Sequence, residues 1–397
     1  MLYENFNNLN QASADLFSEV NDEPITRIKV VGIGGAGCNA VNRMIQDGLS
    51  NVEFVAVNTD LQVLKNSLAK IKMQIGARST RGLGAGAKPE VGEKAAQEDI
   101  EEIKTLFSKT DMIFITAGMG GGTGTGAAPV FAKVAKEMGI LTVAVVTLPF
   151  DFEGKQRIDR AMQGINKLKE NVDTMIVISN SRIFKVIERK AHIKNAFHKI
   201  DEVLKHAVQG ISSIITDVGI INVDFADVRT VLSNKGEAIM GVGIGEGENR
   251  AVEAAKLALE NPLIENTSFK NAAAVLVNIV GGNDFSMSEY YEAAQTITEF
   301  CRPDAEIIVG VNVDDNLKDK VKIILIATGF QKEENEVCKN PLSFDNAIED
   351  RKVLSISEIR RERMKNRINI DQTFVNRSVL DEDYETPSFY RRHNKVN

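Results

Sequence analysis

Six glycines fall within nine residues in the run Gly118-Met-Gly-Gly-Gly-Thr-Gly-Thr-Gly126. Backbone without side chains can wrap closely around an anion and turn successive N–H groups inward. The flanks set the context. Met112–Ala117 is apolar and reads as a strand, and Ala127–Glu137 reads as a helix. A flexible surface loop would not normally join a buried strand to a buried helix. Strand, glycine turn and helix in sequence put the positive end of a helix beside the turn, where phosphate binds well. The run is not a Walker A loop, because GxxxxGK[ST] needs a lysine and none lies between Gly118 and Gly126. It predicts a nucleoside triphosphate held by backbone dipoles, two threonine hydroxyls and a metal ion carried with the phosphates.

The same order occurs upstream. Ile28–Ile33 predicts a strand, Gly32-Ile-Gly34-Gly-Ala-Gly37 a glycine turn fitting GxGxxG, and Asn39 to Asp47 a helix. The next strand, Val52–Val57, ends in Asn58-Thr59-Asp60. A dinucleotide fold would close that strand with an acid for a ribose hydroxyl. Glu53 has the spacing but opens the strand, Asp60 lies too far along, and the second glycine run would be unexplained. Ile140–Thr147 is a further strand. Short apolar runs alternating with helices indicate a parallel α/β sheet, with ligands beyond the carboxyl ends of its strands. Ile193–Thr216 carries apolar residues at helical spacing without proline, predicting one long, largely buried helix. Ala272–Val280 and Lys322–Ile326 read as strands around a helix near Ser288–Phe300, a second and smaller α/β domain.

Other classes are disfavoured. A net charge of −7 argues against broad nucleic-acid binding. Cys38, Cys301 and Cys338 show no CxxC pairing, which suits a reducing cytoplasm. His192, His198 and His206 have no accompanying carboxylate motif, so no metal site on protein ligands is expected. The first 24 residues lack a basic start or an apolar stretch, and no apolar run suits a membrane span, so no direct membrane insertion is expected. All 30 glycines lie between Gly32 and Gly329. The flanks are a tail at 1–24, a linker at 331–380 with ten basic and nine acidic residues, and a short aromatic island at Asp383–Arg392.

One further loop carries chemistry. In Gly219-Ile-Ile-Asn222-Val-Asp224-Phe-Ala-Asp227, one helical turn would put both aspartates on one side. They could hold a cation or position a water, or they could simply cap a helix and begin its first turn.

Taken together, Gly34-Gly-Ala-Gly-Cys-Asn39, Gly118–Gly126, Pro149-Phe-Asp-Phe-Glu-Gly154 and Asn222-Val-Asp-Phe-Ala-Asp227, in that order, make the chain resemble the FtsZ family, bacterial relatives of tubulin. The resemblance covers about residues 25–330, with a short match at the end. It implies a tubulin-like α/β fold: a parallel-sheet nucleotide-binding domain (25–192), a central helix (193–217) and a smaller α/β activation domain (218–330). Residues 1–24 would be a flexible tail, 331–380 a disordered charged linker and 381–397 a partner-binding peptide.

The resemblance also implies a GTPase, converting GTP to GDP and phosphate, that assembles head to tail into protofilaments of the mid-cell division ring. Mg2+ would be bound through the phosphates. Gly35, Ala36, Gly37, Cys38 and Asn39 would line the first phosphate loop. Ala85 and Gly86 would sit near the γ-phosphate, and Gly121, Gly122, Thr123 and Gly124 would hold the phosphates. Glu153 and Arg157 would reach ribose and phosphates. Asn180 and Asp201 would read the base, with Phe197 against its ring; a carboxylate can accept both guanine donors, N1–H and the 2-amino group. Asn222, Asp224 and Asp227 would act on the attacking water of a neighbouring subunit's site. Lys88, Ser179, Ser181 and Leu232 depart from commoner family residues. The peptide Asp383–Arg392 would bind membrane tethers and division regulators. The alternative is a nucleotide-binding regulator without turnover, against which the intact Asp224 and Asp227 speak.

Overall fold

The computed structural model describes residues 26–185, 192–217, 219–233, 235–260 and 269–330. All of them fall within one compact unit, which ends at Lys332. The tail at 1–24, the linker at 331–380 and the peptide Asp383–Arg392 lie outside the described residues.

Ten strands form one sheet: β1 (Ile28–Ile33), β2 (Glu53–Asn58), β3 (Ile71–Gln74), β4 (Met112–Gly118), β5 (Leu141–Leu148), β6 (Thr174–Ser179), β7 (Gly236–Glu246), β8 (Ala274–Gly281), β9 (Glu306–Val313) and β10 (Lys320–Thr328). Their order is β3-β2-β1-β4-β5-β6-β7-β10-β8-β9. The first seven pair in parallel, and β10 runs antiparallel to both β7 and β8. Helices cover both faces, which is why β1 is apolar or glycine outside Lys29 and buried at every position. The longer helices are α1 (Gly34–Gln46), α2 (Pro89–Glu98), α3 (Thr123–Glu137), α4 (Lys155–Lys169), α5 (Ile193–Thr216), α6 (Phe225–Leu232), α7 (Arg250–Leu259) and α8 (Met287–Phe300). No helix among the described residues is long and apolar enough to cross a membrane.

Strand positions agree with the sequence expectations to within a few residues, but two helices start earlier than expected. α1 begins at Gly34 rather than near Asn39, and α3 begins at Thr123 rather than Ala127. Glycine lowers intrinsic helix propensity. Here close packing overrides it: a Cβ on Gly37 would lie 2.3 Å from Thr116 O, and one on Gly32 2.4 Å from Gly37 O. Side chains at either position would push α1 off β1 and β4.

Four strands, β3, β6, β7 and β9, are not among the six expected from the sequence. β7 carries alternate glycines, and Gly241, Gly243 and Gly245 each face α7. A Cβ on them would lie 1.9–2.0 Å from the carbonyl oxygens of Ala258, Ala254 and Arg250. Two strand residues advance about 6.8 Å and four helix residues about 6 Å, so one glycine meets each helical turn. β7 also joins the two halves of the sheet. Gly236–Ala238 pair with β6, and Ile239–Glu246 pair with β10. The junction is therefore shared between β7 and α5. Ile200, Leu204, Ala207, Val208 and Ile211 of α5 pack in one cluster with Val30 and Val143 on one side and Leu276 and Ile324 on the other. Buried Asn278 ties the helix down, donating to Gly210 O (3.2 Å) and Ser213 Oγ (2.6 Å).

Candidate nucleotide site

β1 and β4 lie side by side in parallel, with Ile33 opposite Ala117. From β1 the chain proceeds to β2 on one side, and from β4 to β5 on the other. The two glycine loops therefore open at the point where the strand order reverses, where α/β sheets leave a crevice for ligands. The N-termini of α1 and α3 meet there, since a Cβ on Gly34 would sit 2.8 Å from Gly124 N. Neither helix has a side-chain cap, and neither has an acid in its first turn. Their first N–H groups have no acceptor within the helix, and two positive helix ends converge. That arrangement favours an anion.

The glycines of the loops divide into two kinds. Gly122 is squeezed by Ala85 Cβ and Lys88 N, Gly126 by Pro89 O, and Gly120 by Arg157. These are required by packing. Gly35, Gly86 and Gly121 would meet nothing within 4 Å. The fold gives no packing reason for the missing side chain at Gly35 or Gly121, and their open space is what a bound phosphate group needs.

The remaining expected residues fall around this cradle. Gly35, Ala36 and Asn39 are exposed, but Gly37 and Cys38 are buried. Cys38 Sγ contacts Gly32 O and Val57 O at 3.6 Å, and burial pushes its thiol up to about 11. Of these two, only backbone can serve a ligand. Thr125, expected as a second hydroxyl donor, is buried, and its oxygen accepts from Gly120 N at 2.9 Å, so it braces the loop instead. Thr123 remains half-buried at the cradle. Ala85 is buried against Gly122, while Gly86 is exposed. Glu153 Oε1 accepts from Phe150 N at 2.8 Å and its other oxygen pairs with Arg157 at 2.7 Å, so the pair is preformed. Ser181, one of the departures, has its hydroxyl accepting from Asp151 N at 2.9 Å, which anchors the Glu153 turn.

Beyond that turn lie the residues expected at the base. Asn180 Oδ1 is buried and has no hydrogen-bond partner. Phe197 is 51% exposed, with its ring edge-to-face against Phe150 at 5.8 Å. Asp201 is pushed up to about 6 by burial; the Arg43 charge opposes the shift and Asp47 adds to it. An orphaned amide oxygen, a half-open aromatic ring and a desolvated carboxylate suit a flat heterocycle with hydrogen-bond donors.

Asn222, Asp224 and Asp227 lie elsewhere. Asp224 caps α6, accepting from Asp227 N at 2.9 Å, and Asn222 Oδ1 accepts from Gly219 N at 2.7 Å. All three side chains are exposed. Arg229 of α6 donates to Gly139 O at 2.9 Å, and Asn51 donates to Asp217 at 2.9 Å just upstream. Gly139 and Asn51 precede β5 and β2, so the acidic loop lies at the amino-terminal edge of the sheet. The two glycine loops lie at the opposite edge, separated by the length of β5, about 25 Å.

Comparison with known proteins identifies the family. A model of the Tubulin/FtsZ family GTPase domain matches residues 27–188, and a model of the FtsZ family C-terminal domain matches residues 236–331. The structure of an empty FtsZ dimer from M. jannaschii is 44% identical, covers 80% of this chain and 92% of that one, and superposes with a TM-score of 0.75. This chain belongs to the FtsZ family. It therefore carries the GTPase domain of a family that binds GTP and GDP. A GDP-bound CetZ1 monomer from Haloferax volcanii (21% identical, 77% of this chain and 95% of that one, TM-score 0.67) shares the fold. So does a GTPγS-bound CetZ2 protofilament (20%, 88% and 100%, TM-score 0.65).

Proposed function

We propose that this FtsZ-family chain hydrolyses GTP at a site shared between two copies stacked head to tail, and that the resulting filament builds the division ring. The observation that carries this reading is the placement of the acidic loop. Asp224 and Asp227 are too far from the phosphate loops of their own chain to act on them, but they stand exposed at the opposite edge. Translation of one copy along the strand direction brings its acidic loop onto the next copy's cradle.

The arrangement supports the roles that the family resemblance implies. The N-termini of α1 and α3, with Gly35 and Gly121 leaving room, hold the phosphates. Magnesium entering with the nucleotide would neutralise phosphate charge. Asn180 and Asp201 accept from guanine, Phe197 lies against the ring, and the Glu153–Arg157 pair reaches ribose and phosphates. Asp224 and Asp227 of the incoming subunit orient the attacking water, with Asn222 beside them; phosphoryl transfer demands positioning and charge stabilisation more than covalent help. The peptide Asp383–Arg392, at the end of the charged linker, would dock on membrane tethers and regulators, placing the filament at mid-cell.

Phosphate release measured across protein concentration tests the shared site. Turnover per molecule should rise steeply once filaments form. Turnover that is constant on dilution below the assembly threshold would refute it.

A further inference from the structure

The segment Asn58-Thr59-Asp60 ends β2 and touches all three loops of the cradle. Asn58 is buried, and its Nδ2 reaches Cys38 Sγ, beneath the first loop, at 3.9 Å. Asp60 forms a β-bridge with Leu83, and Leu61 N donates to Gly82 O at 3.2 Å, which holds the loop bearing Ala85 and Gly86. Between them, Thr59 is 0% exposed, and its Oγ1 lies 2.7 Å from Thr123 Oγ1.

Distance alone lets either hydroxyl donate, and burial decides the direction. A buried hydroxyl has one proton to place, and leaving it unplaced is costly. Among the described residues, Thr123 Oγ1 is the acceptor available to Thr59. Thr59 therefore donates and Thr123 accepts. The proton of Thr123 is then turned away from Thr59, toward the open cradle. Hydrogen bonds in such a chain also polarise one another, making Thr123 the stronger donor.

We infer that Thr59 is a positioning residue: its hydroxyl orients Thr123 as a donor to a nucleotide phosphate. Thr59 does not touch the nucleotide itself. The inference rests on the proposed GTP site.

The test is a double-mutant cycle on the full chain, read by GTP and guanosine binding. Thr59→Val, nearly the same shape, should weaken GTP about tenfold, and Thr59→Ser should restore affinity to within about twofold. Guanosine, which carries no phosphate, should bind all three proteins alike. In a Thr123→Val background, Thr59→Val should add nothing, because the two hydroxyls act as one unit. Additive losses, equal losses for guanosine, or an unaltered GTP affinity in Thr59→Val would each overturn the inference. Should Thr59→Val fail to fold, Thr59→Cys, a weaker donor of similar size, reads the same cycle. Failure of the unsubstituted protein to bind GTP would instead overturn the site reading, and this inference with it.

Discussion

In the proposed GTP site, Asp201 would link pH, stability and nucleotide choice in one side chain. Burial raises its carboxyl from the ordinary 3.8 to about 6. Because the folded value is the higher, the neutral acid is favoured by folding; that stability is full below pH 3.8 and is lost as pH rises through 6. One pKa unit is worth about 1.4 kcal/mol, so an ionised Asp201 costs the empty protein on the order of 2 kcal/mol after allowance for its partial exposure. In the proposed site guanine would recover that cost, because N1–H and the 2-amino group would donate to the carboxylate. Binding therefore selects the ionised form. Near pH 6 about half of the molecules must lose a proton to bind, and at pH 5 about nine in ten must, which weakens affinity roughly tenfold relative to pH 7. Calorimetry in two buffers of different ionisation enthalpy reads the proton directly. The terminal phosphate of the nucleotide also titrates near pH 6, so the diagnostic quantity is the difference between the protein and its Asp201→Asn variant. Asp201→Asn should melt higher at pH 7, lose its preference for guanine and lose the protein's share of the proton release. Equal pH profiles for the two proteins between pH 5 and 7 would refute this account of Asp201.

Asp224→Asn should keep the helix cap, since both side chains accept from the N3 amide, and so melt within about 0.5 kcal/mol of the parent while phosphate release is lost. Asp224→Ala should lose turnover and about 1 kcal/mol of stability besides; normal turnover in either would sink the catalytic role. Gly121→Val should fold as the parent does, because a Cβ there meets nothing within 4 Å, yet bind GTP at least 100-fold more weakly. Gly122→Val should lose about 1–3 kcal/mol of stability, because its Cβ would lie 2.8 Å from that of Ala85; thermal melts beside nucleotide titrations separate the two. Mixing Gly121→Val with Asp224→Asn should recover part of the activity that neither shows alone, because a contact between the two kinds of subunit in one orientation pairs an intact cradle with an intact acidic loop. Deleting residues 381–397 should leave filaments and turnover intact and abolish recruitment to tethered membranes, as sedimentation with vesicles would show.

Local chemistry made part of this molecule legible in its residues alone. The run Gly118–Gly126 needs no partner to be recognised, because spacing and composition suffice for an anion cradle between strand and helix. α5 was equally plain, since 24 residues without proline repeat apolar side chains at helical period. Other features depended on contacts distant in the chain. The glycines of β7 look like loop until α7 lies across them. Gly35 and Gly122 are the same residue type in similar loops, yet only the fold makes one open and the other packed. Cys38 and Thr125 stand within the motifs but turn inward, because α1 and α3 must pack on the sheet. The raised carboxyl of Asp201 comes from burial, a property of its surroundings. Asp224 and Asp227 could be recognised as a pair of acids from their spacing; only the sheet, with loops at opposite ends of parallel strands, placed them beyond reach of their own chain's glycine loops. Sequence alone thus determined the fold class, the glycine loops and the family, because short-range spacing carries them. Tertiary structure decided which glycines face open space, which side chains are exposed and which edge each loop occupies, because those depend on packing between residues far apart in the chain.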